Sequence, residues 1–334
     1  MDLNKFLNMA PMKYWQPDNS DQVERDIIEN PEKYSNYIGS YKRDGEWSKV
    51  IWDGDHVYIL SRSISKKTGE YARKEECLPH LSVTFRALPA GTVLLGEVCY
   101  DDLYKRSKDV GSILRCVPQK AIDRQINEED KLKFYVFDVL SWDGTDLTNT
   151  PFIERISYIG KVRSILGDQY IRYAEYKEVT TIAKEYNDYL RSGGEGFVLQ
   201  LKDNIYYDGK RPAWKTIKLK KTTDEIELKV VSVLEPTKEY TGKELNTWTY
   251  FVDNQPVTKY YYYGWKAGVV VDNNGTKCNI SSGINDDDAK WLSTREAEKL
   301  IKEGRLIAKV KAMEIEPGTG KMRHGVLIQL RTDI

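Results

Sequence analysis

The chain reads as an α+β protein of two domains, with antiparallel sheets in the first and a small β-barrel in the second. Three observations lead there. Segments of strand length rich in β-branched and aromatic residues recur at 92–100, 133–140 and 196–201, separated by turn sequences such as Asp53-Gly54-Asp55, Thr68-Gly69-Glu70 and Trp142-Asp143-Gly144. Apolar residues at helical spacing occupy 21–36, 154–165 and 176–191. Around Thr222-Thr223-Asp224 a polar link interrupts the pattern, and a fresh strand starts at Ile226. The boundary therefore falls between 1–221 and 222–334.

The second segment carries several short strands, a helix expected over 286–303 and closed by Gly304, and a last strand over 325–331. A five-stranded OB-type barrel fits that order. Within it, 246–264 holds Trp248, Tyr250, Phe251 and the run Tyr260 to Tyr263 around Asn254-Gln255-Pro256, and is expected to form an inserted hairpin. Its tyrosines cover a core edge or stack on bases or sugars.

Composition narrows the class. The 334 residues suffice for two real cores, and 40% hydrophobic with 31% charged residues is the make-up of a globular chain. A formal net charge of zero means that nucleic-acid binding must come from local basic clusters. Cys77, Cys99, Cys116 and Cys278 lie far apart, with no Cys-x-x-Cys pair and no histidine at ligand spacing. They read as reduced thiols, which together with the lack of a signal peptide or membrane-spanning run leads to the expectation of a reducing cytosol.

The chemistry starts at Lys42-Arg43-Asp44-Gly45. An amine attacks phosphorus only when neutral, and a free lysine, with a pKa near ~10.4, must be made to give up its proton by burial and neighbouring cations. Glu97 stands inside the apolar run Val93-Leu94-Leu95-Gly96-Glu97-Val98, where a carboxylate needs a metal, a hydroxyl or a cation as partner. Glu195 stands between Gly194 and Gly196 at the start of another apolar strand, and the glycines permit close backbone approach. Oxygen ligands of this kind suit Mg²⁺. Phe137 lies in Val136-Phe137-Asp138, and a lysine-dense run, Trp214-Lys215-Thr216-Ile217-Lys218-Leu219-Lys220, precedes the domain boundary. The densest basic stretch, Lys105-Arg106-Ser107-Lys108 with Arg115, Lys120 and Arg124, suits contact with a phosphate backbone.

In this order, the segments around Lys42, Glu97, Phe137, Glu195 and Lys218 resemble the covalent nucleotidyltransferase superfamily of ATP-dependent DNA ligases, RNA ligases and mRNA capping enzymes, and most closely the small ATP-dependent DNA ligases. The resemblance implies an adenylation domain at 1–221 followed by an OB domain at 222–334. It makes Lys42 the nucleophile that takes AMP from ATP, gives Arg62, Glu97, Phe137, Lys218, Lys220 and Arg331 contacts to the nucleotide, and sets Glu97 and Glu195 at Mg²⁺. Phe137 would stack on the purine. Ile217-Lys218-Leu219-Lys220 is the better match to the lysine pattern, with Trp214-Lys215 as the alternative. The substrate implied is nicked double-stranded DNA, closed by a monomer with only about forty residues before its nucleophile. Three positions depart from the family: Trp47 where Arg or Lys is usual, Gln329 where many members have Arg, and Ile334 in place of a terminal Lys. The competing readings are a GTP-dependent capping guanylyltransferase, an RNA ligase and a non-catalytic nucleic-acid-binding module.

Overall fold

The structure is a computed structural model that describes all residues except 16–19, 66–67, 221–224, 241–249, 313, 317 and 333–334. The chain divides into two compact units, Met1–Lys220 and Lys221–Ile334.

Unit one holds two sheets. In the larger, the strands Tyr71–Arg73, Val57–Ile64, Glu46–Trp52, Thr92–Cys99, Lys133–Trp142 and Thr145–Asp146 are neighbours in that order, all antiparallel, and Ile171–Tyr173 adds parallel to Lys133–Trp142. Successive side chains of a strand point to opposite faces, and here both faces are covered. Leu94 and Val98 enter one core with Val50, Phe85, Phe134 and Val162, while Val93 and Leu95 enter another with Phe6, Met9, Ile51 and Leu60. Burial on both sides explains why the sequence of Thr92–Cys99 is almost continuously apolar, and it singles out Glu97 as the exception.

The smaller sheet orders Thr216–Lys220, Gly196–Leu201, Tyr37–Tyr41 and Lys177–Glu178, again antiparallel. The helices Ser20–Glu29 and Val179–Arg191 cover one face through Ile27, Ile182 and Tyr186, packed on Phe197, Leu199, Ile217 and Leu219. The opposite face carries Lys218.

Unit two contains a five-stranded antiparallel sheet in the order Thr276–Ile280, Gly268–Asn273, Ile226–Leu234, Ile307–Lys311, Val326–Arg331, around Val230, Val269, Val271, Ile280, Leu306, Val310 and Leu327. A parallel bridge joins Ser282 to Val326, with the Leu327 N–H donating to the Ser282 carbonyl at 2.8 Å.

Two expectations in this unit need correction. The helix foreseen over 286–303 is two helices, Asp286–Trp291 and Arg295–Lys302, because the Thr294 side chain accepts the Ala297 N–H and starts a new helix. Gly304, at φ +67°, does close the second one. Of the hairpin foreseen over 246–264, the part up to 249 lies outside the described residues. The rest is a minimal pairing of Phe251–Val252 with Gln255–Pro256, followed by a helix, Lys259–Tyr263, that contains the four tyrosines. Thr258 caps that turn and Gly264, at φ +67°, ends it, so local capping overrides the strand preference of tyrosine. Among the described residues no helix is long and apolar enough to cross a membrane, and the four cysteines are free thiols.

Candidate active site

Lys42 follows directly on the strand Tyr37–Tyr41, and its backbone N–H donates to the Gly196 carbonyl at 2.7 Å. That bond continues the pairing of the two strands by one residue and sets Lys42 beside Glu195. Gly196 takes φ +135°, and a Cβ there would strike the Leu219 carbonyl oxygen, so only glycine allows strands to approach this closely at the site. The Lys42 ammonium forms an ion pair with the Glu195 carboxylate, and the two side chains are only 17% and 11% exposed. An ion pair this sheltered is screened much less than one in open water.

Glu97 joins them from the larger sheet, opposite Trp47 in the pairing of Glu46–Trp52 with Thr92–Cys99. The Gly45 backbone amide favours the charged form of its carboxylate, and a Cβ on Gly45 would collide with the Val98 carbonyl and the Glu97 side chain. Burial pushes the Glu97 carboxyl up to about 7, against the pull of the Lys42 charge and with the Glu195 charge adding to the rise. The arrangement is two carboxylates sharing one lysine, with Arg62 close enough to favour the charged form of Glu97.

Lys218 projects from Thr216–Lys220, opposite Val198, on the face away from the helices. The residue as a whole keeps solvent contact, but its amine does not: loss of water around it and the neighbouring charges of Lys42 and Lys220 bring it down to about 8. The alternative pair is placed differently. Trp214, at φ +58°, packs against Trp15 in a tilted arrangement with ring centres 4.0 Å apart, and its carbonyl accepts the Tyr37 hydroxyl.

Phe137 occupies a bulge: Leu95 pairs with Asp138 and Gly96 with Val136, which leaves Phe137 without an opposite number and re-aims its ring. The ring is half-buried and the Phe137 carbonyl accepts the Tyr176 hydroxyl at 2.5 Å. Asp138 is structural. It takes both Nε and Nη2 of the fully buried Arg155, at 2.9 and 2.8 Å, while Arg155 Nη1 donates to the carbonyls of Thr150 and Asn204.

Lys42, Arg62, Glu97, Glu195, Lys218 and Lys220 thus come together in unit one. Arg331 lies on Val326–Arg331 of unit two, ion-paired with Glu227, and Gln329 pairs with Lys309 across the sheet. Asp333 and Ile334 are outside the described residues. Of the basic stretch, Lys105 and Arg106 line a cavity with Lys42, Arg43, Asp44 and Glu195. Arg115 instead pairs with Glu46, and Arg124 donates to the Ser112 carbonyl.

Sequence reasoning missed two residues. Tyr14 sits against Lys218, with the amine 4.2 Å from the ring centre, and nothing in the N-terminal sequence marks it. Lys49 is buried inside the larger sheet, where its amine donates to the carbonyls of Phe6 and Met9, the latter at 2.7 Å. A lysine between Ser48 and Val50 on a strand was the available signal.

Residues 22–220 match the family of the ATP dependent DNA ligase domain. The chain belongs to that family. A DNA ligase of Sulfolobus acidocaldarius is 24% identical over 297 residues, covering 84% of this chain and 44% of that protein. One from Natronomonas pharaonis is 30% identical over 172 residues, covering 51% and 29%. The chain therefore spans less than half the length of these curated relatives. Among solved structures, a Lig E DNA ligase superposes with a TM-score of 0.60 at 17% identity, over 96% of this chain and 99% of that one. At that identity the likeness establishes a shared mixed α+β fold with antiparallel sheets.

Proposed function

We propose that this member of the ATP-dependent DNA ligase domain family seals nicks in duplex DNA through a lysyl-AMP intermediate on Lys42. The observation that carries the reading is the sheltered ion pair of Lys42 with Glu195, bordered by Glu97 on one side and Lys218 on the other. It holds one potential nucleophile among carboxylates and cations, as attack on a polyphosphate requires.

The bonds balance in three displacements. After losing its proton, Lys42 Nζ bonds to the α-phosphorus of ATP, and the bond from that phosphorus to the bridging oxygen breaks, with the electron pair leaving on pyrophosphate. An oxygen of the nick 5′-phosphate then attacks the AMP phosphorus and the Lys42 amine departs. Finally the 3′-hydroxyl attacks the 5′-phosphorus, and AMP is the leaving group. Lys218 and Lys220 balance charge on the phosphate oxygens, Phe137 stacks on the adenine, and Arg62, Glu97 and Arg331 contact the nucleotide. Lys105 and Arg106, in the cavity beside Lys42, suit the DNA phosphates.

Glu97 and Glu195 are the candidate holders of a divalent metal. Among the described residues no cluster of three or more potential protein ligands exists, and a pair of carboxylates fits Mg²⁺, which keeps several waters and takes phosphate oxygens for the rest. When bound it would supply positive charge at the phosphates.

We assign unit one as the adenylation domain and unit two as an OB-type barrel acting as a monomeric clamp on DNA. The strand order of unit two, and the Ser282–Val326 bridge between the ends of its sheet, support closure. The test is incubation of wild type and Lys42→Ala with α-labelled ATP or GTP and Mg²⁺. Label on the protein from ATP alone, lost in the variant, supports the reading; label from GTP alone would make it a capping guanylyltransferase.

A further inference from the structure

We infer that Tyr14 is a positioning residue of the nucleotide site, its ring holding the Lys218 ammonium over the reacting phosphates. The inference rests on the reading above, which sets Lys218 at those phosphates.

The backbone around Tyr14 is fixed on both sides. The Met12 N–H donates to the Tyr206 hydroxyl at 3.0 Å, the Lys13 N–H to the Lys210 carbonyl at 2.8 Å and the Trp15 N–H to the Thr216 carbonyl at 2.9 Å, while Trp15 forms a parallel bridge to Ile217. This short segment behaves as an added edge strand on Thr216–Lys220. Side chains alternate along such a segment. Trp15 turns to the helix-covered core, where it meets Trp214, and Tyr14 turns to the opposite face, which carries Lys218. The ring centre lies 4.2 Å from the Lys218 Nζ, well inside the range for attraction between an ammonium and an aromatic face.

Lys218 needs such a support. It is a long side chain with many rotamers, and the like charges of Lys42 and Lys220 repel its amine. The ring restricts the amine without neutralising it, as a carboxylate would. Burial and the nearby charges of Glu97 and Glu195 keep the Tyr14 phenol protonated, so it faces the site as a neutral group.

The experiment is single-turnover formation of lysyl-AMP from ATP and Mg²⁺ by wild type, Tyr14→Leu, Tyr14→Phe, Lys218→Ala and the Tyr14→Leu/Lys218→Ala double variant. Tyr14→Leu should slow the step roughly tenfold, and Tyr14→Phe, which keeps the ring, should recover to within about threefold of wild type. The double variant should be no slower than Lys218→Ala, since the ring acts through that lysine. Should Tyr14→Leu fail to fold, Tyr14→Met takes its place. A wild-type rate in the leucine variant, a loss in Tyr14→Phe as large as in Tyr14→Leu, or losses that multiply in the double variant would each overturn the inference while leaving the ligase reading intact. No label on the wild-type protein would overturn both.

Discussion

Glu97 is the residue at which stability and chemistry pull in opposite directions. Its carboxyl titrates near 7 in the folded chain, against a usual value of 4.5, chiefly because it is buried. A folded pKa above the unfolded one means that the folded state holds the proton more tightly, so this group's contribution to stability is full below pH 4.5 and is lost as pH rises through 7. Glu97→Gln, which imitates the protonated form, should match wild type at about pH 4 and exceed it at about pH 8 by on the order of 2–3 kcal/mol in metal-free buffer, read from denaturant unfolding at the two pH values. The same substitution should reduce lysyl-AMP formation. A variant stabilised equally at both pH values would mean that its charge is not what strains the site.

At the scale of elements, three buried polar side chains pin the frame around the site. Arg155 and Asp138 tie the helix Phe152–Leu166 to Lys133–Trp142, immediately after the Phe137 bulge. Arg155→Met should destabilise the chain by about 3–5 kcal/mol because it strands a buried carboxylate, whereas Asp138→Leu/Arg155→Met should recover much of that stability; thermal or denaturant melts decide it. Lys49 likewise satisfies carbonyls at the end of the helix Leu3–Asn8, and Lys49→Met should lower stability by roughly 2 kcal/mol, with hydrogen exchange rising first in that helix. These elements also show what a sequence discloses. The strands of Glu97 and Glu195 were legible because a lone carboxylate in an apolar run has few structural explanations. The helix of the four tyrosines was not, because its cap at Thr258 and stop at Gly264 outweigh the strand preference of its residues. Tyr14 was invisible for a different reason: it reaches Lys218 only because a distant segment adds itself to a sheet edge, and no local pattern encodes that.

At the scale of the molecule, zero net charge means that the DNA binding proposed above would have to come from local placement of cations. Lys105 and Arg106 share the cavity of Lys42, so their replacement by alanine should weaken binding of nicked duplex while lysyl-AMP formation changes little. The slope of log affinity against log salt should become shallower by about 0.9 for each DNA phosphate that these side chains neutralise in the native protein. Unchanged slopes would move the DNA path elsewhere. If Lys42 carries AMP from ATP to a nick as proposed, a chase measures it directly. The protein is labelled with α-labelled ATP, freed of nucleotide, and mixed with 5′-phosphorylated nicked duplex and Mg²⁺. The label is expected to leave the wild-type protein, pass through DNA-adenylate and appear as free AMP as the strand is sealed, with Lys42→Ala never labelled. Label that stays on the protein in the presence of the nick, or that forms without Lys42, would contradict the account.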